Sequence, residues 1–559
     1  MAFFPESHIL FKNIMETIFF KSHRNAPDDG YNIYRLLSDI KGKKNVRIVF
    51  EKDTYEISPE YCFERAIHIS NHGWNGYKRI IALLEDMEDI ELDFGGSTIL
   101  THDVITPFAI INSKNITVKN VTLENTNVCF MQTRVLAHGD GYIELERMHG
   151  SDSFFMRHDR ELAMTYEEST FIMVNNIEVN PTTGTLEPGT ADHTMNEFLW
   201  NMRFEDVGGG KLRLHGIKRY PPVGNILIFS VERRLGCGFF CEDSENLRFE
   251  NVTIHSCHGM GLLAQTCHNI TLDGFNTLRH GDQYYTANAD ATHFVNCTGL
   301  VKVENCTFEG QLDDALNIHG MYIRIERIGE SEIFVREVHS QAKGIRVIRA
   351  GDKVQILHPQ TLIPYIEKTI KEAEYINADS IRIVFEEGND GIRSTGDVLE
   401  SLTRVADLIF RNNIVRHNRA RGMLIATKGN VLIENNYFNT SGCAILFESN
   451  GVFWFESGGV YNVHIKDNTF DSCRYSPWGN AIIDCPPRPA EEENKYFHKK
   501  IAVTDNRFIM INDSVALFNN AEEIIFEGNT VEHSEAVHPY ITVQHVAKAR
   551  IKTDLPIQY

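Results

Sequence analysis

The phrase NLRFENVTIHS at residues 246–256 is followed by NITLDGFNTL at 269–278, and both run alternating apolar residues into a central Asn or Gly. Related phrases are NITVKNVTLEN (115–125), LVKVENCTFEG (300–310), LIFRNNIVRHN (408–418), VLIENNYFNT (431–440), VHIKDNTFDS (463–472), IAVTDNRFIM (501–510) and IIFEGNTVEHS (524–534). Asn251 and Gly274, Asn413 and Asn436, and Asn506 and Asn529 are each 23 residues apart. The steps of 31 from Gly274 to Asn305 and 32 from Asn436 to Asn468 are the same unit with a longer corner loop. A short fixed period marks a solenoid, and its insertions belong on the functional face.

Period-2 alternation, as in Leu247/Phe249 and Val301/Val303, makes each phrase a strand. No i, i+3, i+4 stripe supports a helical repeat, and the leucine-rich signature is missing. The remaining solution is a parallel β-helix whose coils stack about 4.8 Å apart. Asn at the turns tolerates the left-handed conformation. The sequons at Asn115, Asn251, Asn269, Asn296 and Asn305 follow from that use of Asn next to Thr-rich strands rather than from glycosylation.

Ile33, Leu36, Leu37 and Ile40, after Asp28-Asp29-Gly30, have the spacing of one apolar helix face, and Gly42 suits a C-cap. Such a helix would cover the open end of the first coil. Residues 130–222 and 321–400 break the phrase pattern with short strands and Gly, Pro and Asp turns. The expected fold is all-β: a right-handed parallel β-helix with two inserted small β-barrel domains and an N-terminal capping helix. Its segments are the cap and first coils (1–129), the first insert (130–222), central coils (223–320), the second insert (321–400) and C-terminal coils (401–559).

Across 559 residues, 55 basic against 76 acidic side chains leave a formal net charge of −21. Basic runs are mere pairs such as Lys43-Lys44, Arg233-Arg234 and Lys499-Lys500. Nucleic acid is thereby excluded as a partner. No apolar run approaches the roughly 18–20 residues of a membrane span. Glu6, His8, Lys12 and Glu16 interrupt the apolar opening, so no secretory core is readable and a cytoplasmic location is expected, or a secreted or periplasmic one if a leader has been trimmed. The 11 cysteines read as reduced, buried thiols, and Cys237-x-x-x-Cys241 lacks the second pair of a zinc site. The 24 histidines carry no metal-ligand spacing, so neither a metal nor another cofactor is expected.

Asp290 and Asp313 are 23 residues apart, one coil, and Asp314 adds a third acid. Residues one coil apart share an angular position on neighbouring rungs. Crowded carboxylates raise at least one pKa and set a protonated acid beside an ionised base, as glycoside hydrolysis requires. Solvated corner aspartates are the competing reading. If Leu316 and Ile318 point inward, strict alternation would turn Asp314 inward too, so either the strand starts after Asp314, which is the expectation, or a bulge turns it outward.

The segments Ala289-Asp290-Ala291, Asp313-Asp314 with Asn317-x-His319-Gly320, IVFEKDTYEI at 48–57 and FWFESGGV at 453–460 resemble glycoside hydrolase family 110, from about residue 28 to 535. The resemblance implies an inverting, metal-independent exo-α-1,3-galactosidase acting on blood-group-B-type or linear α-1,3-galactosyl ends. It implies catalytic carboxylates at Asp290, Asp313 and Asp314. One of Asp313 and Asp314 is expected as acid, with Asp290 and the other holding the water. Inversion asks for acid and base about 6.5–9.5 Å apart.

Trp454 is a candidate for stacking on galactose and Glu456 for accepting sugar hydroxyls. Arg233, Arg234, Gln265, His293, Asn317 and His319 are further candidates for substrate hydrogen bonds, while His258, His268 and His280 read as structural or solvent-facing. The expected partner is an oligosaccharide or glycoconjugate, and a homodimer is left open. A polysaccharide lyase or a non-catalytic glycan-binding β-helix are the competing functions on this fold.

Overall fold

The computed structural model describes residues 15–22, 28–73, 76–148, 154–158, 160–166, 169–231, 233–486 and 492–559. Residues 1–14 of the apolar opening lie outside them. The strands Lys114–Asn125, Glu245–Ile254 and His268–Thr277 pair in parallel, with Leu247 beside Ile116 on one side and Ile270 on the other. Their inward residues stack rung upon rung: Phe108 lies face to face with Phe239 at 4.6 Å, and Phe438, Phe470 and Phe508 follow one another at 5.2 and 4.8 Å. Each such ring buried contributes about 1.5–3 kcal/mol.

The turn asparagines form two columns rather than one. Asn120, Asn251, Gly274, Asn305, Asn412 and Asn435 have φ between 52° and 67°, the left-handed turn itself. One residue later, Asn413, Asn436, Asn468 and Asn506 point inward and are buried. Each of these accepts through its side-chain oxygen the backbone N–H of the rung before, from Cys306 N to Asn413 at 2.8 Å through Asn468 N to Asn506 at 3.0 Å. A buried backbone donor left unpaired is costly, so this ladder fixes the corner. In the first coils the same inward position holds Val121, Val252 and Phe275, so the sequence phrase mixes two structural roles.

Helix α1 (Asp29–Asp39) begins where expected: Asp28 accepts the Tyr31 N–H at 3.1 Å and the Ser58 N–H at 2.8 Å. Ile33, Leu37 and Ile40 join the core of the first coils. A strand, Glu16–Phe20, pairs in parallel with Val46–Phe50 at this end of the sheet. Ten of the eleven cysteines are buried, and no disulfide occurs among the described residues. No helix among them is long and apolar enough to cross a membrane.

Two antiparallel domains interrupt the winding. The second is a closed six-stranded barrel from Ile323 to Ser401, as expected. The first is an eight-stranded antiparallel sheet whose ends come together: Phe204 N of Arg203–Gly208 donates to Arg160 O at 2.8 Å, at the turn between Phe154–Arg157 and Glu161–Tyr166. Its expected boundary is corrected: it extends to Val231, because Ile226–Val231 lies between Ser169–Val179 and Phe130–Gly139. The boundary expected at 222 fell at a Pro-Pro turn that lies inside the domain.

Candidate active site

One face of the β-helix is built from β1 (Thr106–Ile111), β2 (Phe239–Glu242), β3 (Leu262–Gln265), β4 (Thr292–Val295), β5 (Leu316–Met321), β6 (Met423–Ala426), β7 (Ile445–Leu446) and β8 (Ile483–Asp484). Thr292 of β4 pairs with Leu316 of β5, and Leu316 with Met423 of β6. Leu316 and Ile318 face the core, so His293, Asn317, Leu424, Leu446 and Asp484 form one outward column. Gln265, Val295 and His319 form the next.

The acids sit at the corner just before these strands. Ala291 N donates to Asp314 O at 2.8 Å and Thr292 N to Ala315 O at 3.1 Å, which sets Asp290 beside Asp314, with Asp313 next to both. A carboxylate oxygen from each of the three lies within 4.8 Å of the others. That figure is a separation between nearest oxygens, whereas the spacing of about 6.5–9.5 Å expected for inversion is one between carboxyl groups. The strand starts after Asp314, as expected, and the Asp314 side chain is buried.

Three guanidinium groups neutralise the cluster. Arg421 Nε donates to Asp314 Oδ1 at 2.8 Å, and Arg421 Nη2 lies 3.6 Å from Asp313 Oδ1. Arg234 Nη2 donates to Asp313 Oδ2 at 3.2 Å, and Arg419 Nη1 lies 3.4 Å from Asp313 Oδ1. Arg419 is itself held by Asp192 from the first insert. Burial pushes Asp313 toward the neutral form, but Arg419, Arg421 and Arg234 outweigh it and hold the carboxyl below its ordinary value. Burial, reinforced by the charge on Asp313, raises Asp290 to about 8. Burial likewise raises Asp314, with Arg421 opposing. The environments therefore split the acids into protonated and ionised members at neutral pH.

A pocket of about 900 Å³ opens over this cluster, large enough for an oligosaccharide end. Asp290, Asp313, His293, Asn317, Arg234, Glu456 and Trp454 line it, while Asp314 lies behind the wall with Oδ2 unpartnered among the described residues. Asn317 Oδ1 is also buried without a partner, an acceptor available to a hydroxyl. Trp454 is half exposed at the rim and packs on His339 of the second insert at 5.1 Å. Glu456 is set by the antiparallel pairing of Met321 with Glu456 and accepts from Asn71 Nδ2 at 3.2 Å.

Other expected binders have different work. Gln265 is fully buried and off the pocket wall; its amide donates to His68 O and to Glu242, and its oxygen accepts from Ser70 N. It fastens the loop carrying Asn71. Arg233 Nη1 donates to Gly73 O and also lies off the wall. His319 is buried behind His293. His258 is buried against Asn127 O, a structural place as expected.

Sequence reasoning missed Arg419, Arg421, Asp192, Trp478, Glu448 and Asp484, all on the pocket wall. The usable signal was a register of 107 residues, which relates Asn412 to Asn305 and Arg421 to Asp314. It spans one coil plus the second insert.

A parallel β-helix with a carboxylate cluster in a sugar-sized pocket defines a glycosidase of the β-helix class. Residues 237–353 match the family model described as right handed beta helix region, and residues 332–399 match GLAA-B beta-barrel domain II. Alpha-1,3-galactosidase B of Parabacteroides distasonis is 30% identical over 544 residues, covering 91% of this chain and 86% of that protein. Alpha-1,3-galactosidase A of Shewanella woodyi is 29% identical over 529 residues, covering 91% and 84%. The chain belongs to the alpha-1,3-galactosidase family.

Proposed function

We propose that this chain hydrolyses terminal α-1,3-linked galactose from oligosaccharides or glycoconjugates, with inversion at the anomeric carbon and without a metal. The observation that carries the reading is the set of three carboxylates within 4.8 Å of one another, two of them, Asp290 and Asp313, at the wall of one pocket. Asp313, held ionised, can activate the attacking water while Asp290, which keeps its proton, serves the leaving oxygen. Water as the nucleophile gives inversion. The names of the relatives support galactose as the sugar released and α-1,3 as the linkage.

Asp290 and Asp313 face the sugar in this reading, with Asp314 completing the cluster from behind. Asn317 and Glu456 accept sugar hydroxyls, and Trp454 stacks on the apolar face of the ring. A lyase would want an arginine or lysine free to abstract a proton, whereas Arg234, Arg419 and Arg421 are all engaged by carboxylates. Incubation with a B-type trisaccharide and with linear Galα1,3Gal, following released galactose by NMR, tests the reading. β-Galactose appearing first is expected; α-galactose first removes inversion, and no release from either removes the activity.

A further inference from the structure

A chain of hydrogen bonds leads away from Asp290 into the wall of the pocket. Asp290 Oδ2 lies 2.6 Å from His293 Nδ1. His293 Nε2 lies 2.9 Å from His319 Nε2, the two rings nearly perpendicular at 85°. His319 Nδ1 lies 2.6 Å from the carbonyl oxygen of Gly320, which Ser457 pins by sheet pairing. Glu456 Oε1 stands 3.8 Å from His319 Nε2, at the pocket wall. All three side chains in the chain are buried.

The proton count in this chain is constrained. A carbonyl oxygen only accepts, so His319 carries hydrogen on Nδ1. Two nitrogens 2.9 Å apart need one hydrogen between them. If His293 supplies it, neutral His293 is bare at Nδ1 and Asp290 must be the donor, a carboxylic acid. If His319 supplies it, His319 is an imidazolium, His293 holds its hydrogen on Nδ1, and Asp290 accepts as a carboxylate. Both arrangements hold the same number of protons.

We infer that His293 and His319 form a two-imidazole relay that switches Asp290 between carboxylic acid and carboxylate. The proton leaves Asp290 Oδ2 for His293 Nδ1 as the His293 Nε2 proton passes to His319 Nε2. No electron moves and net charge is conserved. Glu456, with His339 beyond it, stabilises the charge arriving on His319. Arg234, Arg421 and Asp313 face Asp290, and His72 stands beside His293. Burial keeps His293 neutral between transfers. Both histidines are positioning residues, acting on the sugar only through Asp290. The kinetic arm of the test rests on the proposed galactosidase reading; the relay itself does not need substrate.

Histidine-selective ¹⁵N NMR of the full chain across the neutral range reads the tautomers directly. His319 Nδ1 should stay protonated throughout, and Asp290→Asn, which takes away the carboxyl proton, should shift the tautomer balance of both rings and with it their Nε2 signals. Unchanged ring signals in Asp290→Asn overturn the relay whether or not the chain acts on galactosides. Against α-1,3-galactosides, His319→Gln and His293→Gln should lower kcat about 10–100-fold with KM within about twofold, and should move the limb belonging to Asp290 to higher pH. A fall in kcat with the limb unmoved assigns the histidines a purely structural part. Wild-type inactivity on galactosides with intact tautomer coupling removes the proposed substrate and leaves the relay.

Discussion

Arg421 Nε donates to Asp314 Oδ1 at 2.8 Å across a single rung, although 107 residues of chain separate them. The second barrel lies between the two in sequence and outside the winding in space, so the insert costs the register nothing. Asp314 is fully buried, whereas Arg421 is partly exposed and also lies 3.6 Å from Asp313 Oδ1. Replacing Arg421 by Met should therefore destabilise the protein by up to about 3–5 kcal/mol, because it removes a guanidinium that Asp314 and Asp313 share. Asp314→Asn combined with Arg421→Met should recover much of that loss. Equilibrium denaturation of the two variants checks this, and a double variant no more stable than Arg421→Met rejects it.

Asp290→Asn should separate the site's chemistry from its stability. It and Asp313→Asn should each lower kcat by about 10²–10⁴-fold on a natural disaccharide, with Tm held in Asp290→Asn and lowered in Asp313→Asn, which takes the shared carboxylate from Arg234, Arg419 and Arg421. An aryl galactoside with a good leaving group should restore the variant lacking the acid. Added azide should instead rescue the variant lacking the base, giving a β-galactosyl azide. Wild-type turnover in either variant takes that residue out of the acid–base pair.

Asp290 also makes stability fall with pH. Its folded value of about 8 lies above the 3.8 of an unperturbed aspartate, so the native state holds a proton that the unfolded chain gives up. The contribution is intact below pH 3.8 and is lost progressively as pH rises to about 8. Asp290→Asn removes this dependence. Its Tm relative to wild type should rise across that window and level off above it; a difference that stays flat with pH contradicts the raised value.

Particular residues decide how far the sequence could be read. The 23-residue spacing found Asp290 and Asp313, yet the ladder pairs Thr292 with Leu316, a step of 24. The cluster was legible because rungs lie so close that a one-residue error in register still leaves the carboxylates together. Arg421 was hidden by the second insert, although Asn305 and Asn412 carry the same 107-residue offset on the left-handed turn. Gln265 shares the outward face of β3, and only its three hydrogen bonds separate a loop fastener from a sugar ligand.

Metal dependence can be settled by charge. The three carboxylates are close enough to surround a cation, but Arg234, Arg419 and Arg421 approach them at 2.8–3.6 Å and already supply positive charge. A divalent ion would meet three guanidinium groups at short range, a repulsion of several kcal/mol even at an effective dielectric of about 20. Activity should survive EDTA, and calcium should leave Tm unchanged. Loss of activity on chelation, restored by one added metal, is the contrary result.

Trp454 is the residue whose effect should fall on binding rather than chemistry. It is half exposed, stands at the pocket rim and is braced by His339 at 5.1 Å and Phe453 at 5.0 Å, so its ring is held without a substrate present. A pre-held aromatic surface loses little side-chain freedom when a sugar lies on it, and such a contact contributes about 0.5–1.5 kcal/mol beyond the area it buries. Trp454→Ala should raise KM about tenfold, since 1.4 kcal/mol corresponds to a factor of ten, and leave kcat within about twofold. Trp454→Phe keeps a ring in place and should recover most of the loss. A variant that lowers kcat and leaves KM untouched would instead tie the indole to the geometry of the carboxylates beneath it, and the stacking role would have to be given up.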